Sequence, residues 1–260
     1  MPERSLTSAQ LSRYRQEGFL VVEDLFDDDL VQQIQAVITR TVEEKRSEII
    51  QWESVVTSGD YTPASPELGV RKLFRMACHH PFFRDLASHE GMVDVAQSVL
   101  GPGVSLMQSM LLMKPPHIGG EKVWHQDNAY FRLTPANVLG FWVALDEATV
   151  NNGCMHVIHR SHLEGLAEHV GEGDAYGLSR PPLFSEATAI AMNPGDALLF
   201  HGELWHGTPA NQSEQPRRAL QYHYVANHCV AGTEGSATGV RKAELLIAGE
   251  LVEGALMIAP

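Results

Sequence analysis

The sequence is poor in cysteine: it has only Cys78, Cys154 and Cys229, which lie far apart. Their number is odd and none shows Cys-x-x-Cys spacing, so neither a disulfide framework nor a structural zinc site is expected. The chain also lacks an apolar run approaching the ~20 residues that cross a bilayer. Its polar start has no apolar segment of the kind found in signal peptides. We therefore expect a cytoplasmic protein that does not associate with membranes.

Basic residues are scarce as well, since 19 lysines and arginines stand against 32 aspartates and glutamates, for a formal net charge of −13. No basic cluster stands out, which disfavours nucleic acid and anionic membrane surfaces as partners. A single buried arginine or lysine that binds a small anion is compatible with this balance. The 260 residues, with 44% hydrophobic and 20% charged side chains, are ordinary globular values and predict one domain over residues 1–260.

The first part of the chain, to about residue 103, is predicted to be mainly helical. The capping-box pattern Thr7-Ser8-Ala9-Gln10 opens a short helix that Gly18 ends. Asp27 to Asp29 then precede apolar residues spaced for one face of a second helix, whose N-terminus favours carboxylates. A further helix is expected over about Ser88–Leu100, ending at Gly101. The polar segment Gln51–Leu68, punctuated by glycine and proline, is predicted to be a loop.

From about residue 104 to 228, short apolar runs rich in β-branched and aromatic residues predict an antiparallel barrel or sandwich, followed by a tail over residues 229–260. The predicted strands are Phe19–Val22, Val104–Met113, Val123–Ala129, Val138–Leu145, Met155–Ile158, Thr188–Met192, Ala197–His201, a short strand at Thr208, and Arg217–Ala226. The connection Leu163–Glu186 is long and rich in glycine and proline. It is interpreted either as a mobile cover over a binding site or as an ordinary surface loop.

A histidine and a carboxylate two residues apart, His125 and Asp127, lie in the predicted strand Val123–Ala129. Side chains alternate along a strand, so both would project from one face and could bind one metal ion. A second, distant histidine would complete the two-histidine, one-carboxylate arrangement that suits iron(II) and dioxygen. His201 and His206 are the candidates. The alternative interpretation of His125 and Asp127 is a surface pair on an edge strand.

The residues around this pair closely resemble the phytanoyl-CoA dioxygenase family. The motifs that carry it are the run from Met107 to Phe131, which contains Trp124-His125-Gln126-Asp127-Asn128, then Asn152-Gly153-Cys154, and the segment from Gly195 to Ala219. The resemblance covers roughly Leu11 to Val225 and is strongest over Val104 to Ser161 and Met192 to Tyr224. It implies a mainly β fold with flanking helices around a double-stranded β-helix, the jelly-roll or cupin-like core. It also implies iron(II) as the metal, 2-oxoglutarate as cosubstrate, and hydroxylation of a small organic metabolite by dioxygen with release of succinate and carbon dioxide.

The resemblance implies particular roles for the site residues. His206 precedes Gly-Thr and stands eleven residues before Arg217, as in the family pattern, so His125, Asp127 and His206 are the implied iron ligands. Related halogenating enzymes have glycine or alanine at the carboxylate position, so Asp127 favours a hydroxylase. His201 would then be a core residue or a neighbour of the ligands.

Arg217 and Arg218 are adjacent on a predicted strand, so one points inward and needs an anionic partner. The resemblance makes Arg217 the inward residue, binding the far carboxylate of 2-oxoglutarate with the Thr208 hydroxyl nearby, while Arg218 would be a solvated surface charge. The other implied residues of the cosubstrate pocket are Gln108, Met110, Trp142 and Lys72.

Two other classes of function compete with this interpretation. A cupin-like metalloenzyme that does not use 2-oxoglutarate would share the ligands but would not need Arg217. A non-catalytic binding protein could retain the fold after losing a ligand. The sequence departs from the family at His159-Arg160-Ser161-His162, where Pro-Gly-Ser-His is usual. The histidines at 156, 159 and 162 are interpreted as part of a polar turn, without a second metal.

Overall fold

The computed structural model describes residues 5–44 and 48–231, and further along only the short backbone segments 240–241, 245–247, 250–252 and 257–258. The α-helices are α1 Ser8–Glu17, α2 Asp28–Glu43, α3 Ser54–Thr57, α4 Met76–His79, α5 Pro81–Leu86, α6 Glu90–Leu100 and α7 Asn128–Phe131. The strands are β1 Phe19–Val22, β2 Ile50–Trp52, β3 Val70–Phe74, β4 Val104–Lys114, β5 Lys122–His125, β6 Leu133–Thr134, β7 Val138–Ala144, β8 Met155–Val157, β9 His169–Val170, β10 Gly177–Leu178, β11 Thr188–Ile190, β12 Ala197–His201, β13 His206–Thr208, β14 Arg217–Ala226, β15 Val230–Ala231, β16 Val240–Arg241, β17 Leu245–Ile247, β18 Glu250–Val252 and β19 Met257–Ile258.

The helix ends follow from local capping. Thr7 and Gln10 form the predicted capping box at the start of α1, and Gly18 ends the helix with a left-handed backbone at φ 85°. The Asp27 side chain accepts a hydrogen bond of 2.9 Å from the backbone N–H of Leu30 at the start of α2. The helix predicted before Gly101 is α6. These sequence predictions are confirmed.

Antiparallel strands form two main sheets. The larger has the order β1-β12-β7-β14-β4-β17-β18, with β3 also paired to β4 and β2 paired to β3. The smaller has the order β11-β8-β13-β5. The fold is a cupin-like double-stranded β-helix with flanking helices, as the family resemblance implied.

Alternation along the central strands separates the two faces of the larger sheet. Phe141 on β7 and Leu220 on β14 pack in one hydrophobic cluster with helix residues such as Ile34 of α2. Their strand neighbours Trp142 and Ala219 belong to a second cluster that includes residues of the smaller sheet. Each central strand is therefore buried on both faces, and its inward face lies between the two sheets.

Three predictions need correction. The segment Gln51–Leu68 is not simply a loop, because it contains most of β2, all of α3 and the start of a 3₁₀ turn at Pro66–Gly69. The part predicted as mainly helical supplies β2 and β3 to the larger sheet, in addition to the strand predicted over Phe19–Val22, which is β1. The strand predicted over Val123–Ala129 ends at His125, because its partner strand β13 begins at the opposite residue, His206, and leaves no ladder beyond. The organisation as one domain stays a prediction.

Among the residues that the structure describes, no helix is both long and apolar enough to cross a membrane.

Candidate active site

Three buried side chains converge where β5 and β13 pair. His125 and His206 stand opposite each other across the two strands, with ring centroids 4.2 Å apart. Oδ1 of Asp127 lies 3.5 Å from Nε2 of His125 and 3.7 Å from Nε2 of His206. Among the residues that the structure describes, His125, Asp127 and His206 form a group whose possible ligand atoms all lie within 4.8 Å of one another. This is close enough for them to bind one metal ion.

Asp127 reaches this position by a different route from the one predicted. It does not share a strand face with His125, because its backbone is helical at φ −63° and ψ −36° and it caps α7. The carbonyl of Asp127 accepts the backbone N–H groups of Tyr130 and Phe131 at 2.9 and 3.2 Å. This turn brings the carboxylate back toward the end of β5, so the grouping of His125 with Asp127 stands although its geometric reason was wrong.

The backbone fixes which nitrogen each imidazole presents. Nδ1 of His125 lies 2.8 Å from the carbonyl of Val123, and Nδ1 of His206 lies 2.9 Å from the carbonyl of Leu204. A carbonyl accepts a hydrogen bond, so Nδ1 carries the proton in both rings and Nε2 offers a lone pair toward Asp127. The backbone thus supplies the hydrogen-bond partner that a metal-binding histidine requires.

Burial and charge set the protonation states that suit a metal. Burial lowers the pKa of His125 to about 3, helped by the neighbouring His206 and Lys122, and burial also lowers the pKa of His206. Burial opposes ionisation of Asp127, but His223, His206 and His125 outweigh it and hold its pKa well below the usual range. At neutral pH the group is two neutral imidazoles and one carboxylate, which is the donor set of non-haem iron(II) sites.

The site lies in a cavity of about 370 Å³ whose lining includes all the residues that the sequence analysis placed at the site. These are Lys72, Gln108, Met110, His125, Asp127, Trp142, His206, Thr208 and Arg217. The structure brings them together, with Lys72 on β3 and Gln108 and Met110 on β4. Their individual roles stay predictions.

Arg217 is the inward arginine and is only 2% exposed. Its guanidinium carbon lies 5.1 Å from the centroid of the Trp142 ring, a cation–π contact. Nε and Nη1 of Arg217 and Nε1 of Trp142 are buried without a hydrogen-bond partner among the described residues. Buried donors of this kind are nearly always satisfied. A ligand that offers acceptor atoms, such as a carboxylate, fits this end of the cavity.

Arg218 points the other way, but it is not the solvated charge that was expected. Its guanidinium pairs with Asp146 at 2.7 Å and with Glu67 at 3.1 Å, and only 18% of its side chain is exposed. Burial opposes its charge, but the hydrogen bonds that it donates to Asp146 raise its pKa. Arg218 joins β14 to the loop after β7 and to the 3₁₀ turn before β3.

The other histidines considered in the sequence analysis lie away from the metal-binding group. The His201 ring packs at a tilt against His162, with centroids 5.2 Å apart, and its Nδ1 accepts a hydrogen bond of 3.1 Å from the backbone N–H of Glu203. His159 lies 2.7 Å from a carboxylate oxygen of Glu17, and His156 is held by the carbonyl of Cys154. In the described structure these side chains do not join the metal-binding group.

Sequence reasoning missed two residues on the inward face of β14. His223 is fully buried, and its Nε2 lies 2.7 Å from Oδ2 of Asp127, the oxygen that does not face the histidine pair. Gln221 lines the cavity, and its Nε2 lies 3.2 Å from Nε2 of His223. The signal was present in the alternation, because Gln221 and His223 follow Arg217 at even spacing on the same strand.

The segment from Leu163 to Glu186, here called the lid segment, carries further missed residues. It contains the short hairpin of β9 and β10, so it is not a structureless loop. Its Asp174 lines the cavity and pairs with Lys72 and, at 2.9 Å, with Arg71. Burial opposes ionisation of Asp174, but Lys72 and Arg71 lower its pKa. The lid segment therefore contributes Gly173 and Asp174 to the cavity wall, and ion pairs hold Asp174 there. Its role as a mobile cover stays a prediction.

Comparison with known proteins identifies the family. The family profile described as phytanoyl-CoA dioxygenase (PhyH) matches residues 14–219, a range that contains all the site residues predicted from the sequence. Peroxisomal phytanoyl-CoA dioxygenase of Mus musculus is 28% identical over 246 residues, which cover 88% of this chain and 72% of the mouse protein. Phytanoyl-CoA dioxygenase of Arabidopsis thaliana is 34% identical over 149 residues, 56% of this chain and 53% of the plant protein.

Solved structures give the same result for the fold. EctD from S. alaskensis, crystallised with 2-oxoglutarate and 5-hydroxyectoine, superposes with a TM-score of 0.68 at 25% identity, covering 85% of this chain and 76% of EctD. The α-ketoglutarate-dependent carbocyclase SnoK from nogalamycin biosynthesis has a TM-score of 0.70 at 20% identity, covering 99% of this chain and 98% of SnoK. The chain belongs to the phytanoyl-CoA dioxygenase family of non-haem iron(II)- and 2-oxoglutarate-dependent oxygenases.

Proposed function

We propose that this protein hydroxylates a small organic metabolite, with iron(II) bound by His125, Asp127 and His206 and 2-oxoglutarate bound by Arg217. The observation that carries the proposal is that one cavity holds both the metal-binding group and a buried arginine whose Nε and Nη1 have no acceptor among the described residues. An uncompensated buried charge is unfavourable unless a ligand pairs with it. A dicarboxylate that reaches both the metal and Arg217 meets that requirement.

Each part of the cosubstrate has a partner of fitting chemistry in this cavity. The planar guanidinium of Arg217 suits a carboxylate, because its N–H donors match the two oxygens. Nε1 of Trp142 and the buried Thr208 hydroxyl offer further donors beside it. On β4, Met110 contributes an apolar side chain and Gln108 a polar side chain to the lining of the cavity. Lys72 is engaged by Asp174, so its contact with the cosubstrate requires that ion pair to rearrange.

When bound, iron(II) and 2-oxoglutarate supply the activation of dioxygen, with release of succinate and carbon dioxide. The chain contributes orientation and a dry site. Val123 and Leu204 hold the two imidazoles through their carbonyls, while His223 holds the outer oxygen of Asp127. The lid segment limits the access of water to the reacting groups.

Arg217 also separates this proposal from its rivals. A cupin-like metalloenzyme without 2-oxoglutarate has no need for a buried arginine beside the metal group. A non-catalytic protein has no need to retain three metal-binding side chains in a cavity large enough for a small molecule. Both features are present together, which favours the oxygenase.

The test has two stages. Anaerobic titration of 2-oxoglutarate into the iron(II) protein should produce the visible charge-transfer band of the chelated cosubstrate. A screen of small metabolites for substrate-dependent succinate release should then identify a product heavier by one oxygen atom. A wild-type protein that binds iron(II) but never shows the band would contradict the proposal and favour the cupin-like alternative.

We also propose that the enzyme acts in the cytoplasm, a proposal that rests on the sequence alone. Cell fractionation followed by immunodetection tests it, and recovery of the protein in an organelle fraction would contradict it.

A further inference from the structure

The wall of the cavity is unexpectedly cationic for a chain with a formal net charge of −13. Five lysine and arginine side chains line it, against two carboxylates. The basic residues are Arg71, Lys72, Lys114, Lys122 and Arg217, and the acidic residues are Asp127 and Asp174. Asp127 belongs to the metal-binding group.

Four of the five cations already have a partner or a role. Arg71 pairs with Glu53 at 3.1 Å and with Asp174 at 2.9 Å, and Lys72 pairs with Asp174. Lys114 donates a hydrogen bond to the backbone carbonyl of Gly120. Burial is the main cause that lowers the pKa of Lys114 to about 6, and the charge of Arg217 adds to it, so Lys114 is mostly neutral at pH 7. Arg217 faces the cosubstrate end of the cavity under the proposed function.

Lys122 is the cation that remains. The described structure gives its ammonium two hydrogen-bond partners, the Tyr130 hydroxyl at 2.8 Å and the backbone carbonyl of Asp174 at 3.2 Å, and both are uncharged. The Tyr130 hydroxyl gives its own proton to the carbonyl of Tyr176 at 2.8 Å, so it accepts from Lys122. An ammonium has three N–H donors, which leaves one for a ligand in the cavity. Burial, with Lys72 nearby, lowers the pKa of Lys122 to about 8, although the carboxylates of Asp174 and Asp127 act in the opposite direction. Neither carboxylate forms an ion pair with the Lys122 ammonium among the described residues, whose contacts to it are the two uncharged groups.

The position of Lys122 relative to the metal-binding group suits a substrate contact. The Tyr130 ring packs edge-on against His125 with centroids 5.8 Å apart, and the Lys122 ammonium lies 5.3 Å from the Tyr130 ring centroid. An anionic group bound to the Lys122 ammonium would be separated from the proposed metal ligand His125 by the Tyr130 ring. The remaining wall offers apolar surface for the rest of such a molecule, from Phe74, Met110, Leu112, Met113, Phe131 and Met155.

We propose that the substrate is a small amphiphilic anion and that Lys122 binds its charged group, a carboxylate or a phosphate, beneath the lid segment. This inference rests on the proposed function, since it places the substrate beside the same metal-binding group. Lys122 thereby determines specificity by rejecting neutral analogues, because their binding leaves the ammonium uncompensated.

The test uses four probes with one carbon skeleton: hexanoate, hexyl phosphate, hexanamide and hexanol. Each is titrated calorimetrically into anaerobic protein loaded with iron(II) and 2-oxoglutarate. In wild type, hexanoate or hexyl phosphate should bind at least about tenfold more tightly than hexanamide and hexanol. The tighter of the two anions identifies the head group. Equal affinities for charged and neutral probes, or no binding of either anion, would overturn the inference.

Variants assign the preference to Lys122. Lys122→Met should weaken the anionic probes by about tenfold to a hundredfold and leave hexanamide unchanged, whereas Lys122→Arg should retain the preference. Arg13→Met, which removes one positive charge from an exposed position of α1, is the matched control and should leave all four affinities unchanged. An equal loss for every probe in Lys122→Met would show a purely structural role and overturn the inference.

The visible band of chelated 2-oxoglutarate separates this inference from the proposed function. If wild type and Lys122→Met both show the band with equal cosubstrate affinity and neither prefers anions, the inference fails and the proposed function stands. If wild type shows no band, the proposed function fails. If Lys122→Met specifically weakens 2-oxoglutarate, Lys122 belongs to the cosubstrate site and the substrate assignment is wrong.

Discussion

Replacing Arg217 with methionine should weaken 2-oxoglutarate binding without destabilising the ligand-free protein. In the structure, Arg217 is only 2% exposed, and burial lowers its pKa to about 10, so it is still charged at neutral pH. Its Nε and Nη1 find no acceptor among the described residues, while Trp142 provides a cation–π contact. The charge is thus unfavourable in the free protein and becomes favourable only when an anion binds.

The substitution is expected to have different effects on the stability of the ligand-free protein and on the binding of 2-oxoglutarate. Exchanging a buried charge for an apolar side chain of similar size is often neutral or stabilising by about 1–4 kcal/mol. Losing the contact with Trp142 offsets about 1–2 kcal/mol of that gain. We expect Arg217→Met to raise the melting temperature of the ligand-free protein by zero to about 6 °C. Removing the partner of a bound carboxylate should weaken 2-oxoglutarate by about 2–5 kcal/mol, roughly 30-fold to a few thousand-fold.

The neighbouring arginine provides a matched control with the reverse outcome. Arg218→Met removes the pairs with Asp146 and Glu67, and it leaves two carboxylates only about 15% exposed without a cation. The expected loss is about 1–3 kcal/mol of unfolding free energy, below the full value for a buried pair because the Arg218 side chain is 18% exposed. Its 2-oxoglutarate affinity should equal that of wild type.

Thermal unfolding with and without 2-oxoglutarate, together with anaerobic titration of the visible band, measures both effects on the iron(II) protein. Wild type and Arg218→Met should gain stability as the cosubstrate concentration rises, and Arg217→Met should not. An Arg217→Met protein that is less stable than wild type yet binds 2-oxoglutarate equally well would refute the reasoning.

Three further predictions concern the metal, the lid segment and pH. Asp127→Ala should lose iron(II) after desalting while His201→Ala retains it, and metal retention by the Asp127 variant would contradict the ligand assignment. Asp174→Asn weakens the ion pairs of the lid segment and should speed amide hydrogen exchange there, so unchanged exchange would show that other contacts hold it closed. Burial lowers the pKa of Lys114 to about 6, so at neutral pH the unfolded chain binds a proton that the folded chain has released. Wild-type stability should therefore rise relative to Lys114→Met by up to about 1.4 kcal/mol per pH unit between pH 7 and 9, and parallel urea-unfolding profiles would contradict this.

Much of the fold and the proposed ligand group could be predicted because their signals are local. Capping residues fix α1 and α2, and short apolar runs mark the central strands β7, β12 and β14. The grouping of His125 with Asp127 followed from their separation of two residues. The stated reason was nevertheless wrong, because a strand needs a partner, and β13 offers none beyond His206.

The rest could not be predicted because it depends on contacts between distant segments. His223 lies 96 residues from Asp127 in sequence, yet their side chains are 2.7 Å apart. Asp174 is 102 residues from Lys72, its ion-pair partner. A single sequence gives the face on which such residues lie but not the segment that packs against it.

The two faces of the larger sheet have different roles: one packs against the helices in the hydrophobic core, and the other carries residues of the proposed site. Tyr222 on β14 faces the helices and donates a 2.6 Å hydrogen bond to the carbonyl of Phe83. Its neighbours point the other way: Gln221 lines the cavity and His223 contacts Asp127. The proposed substrate contact, Lys122, instead meets the lid segment through the carbonyl of Asp174. Because that segment lies outside the hydrophobic cluster that joins the sheet to the helices, it can change without loss of that cluster. The architecture therefore allows the substrate to change while the proposed ligands and Arg217 stay in place.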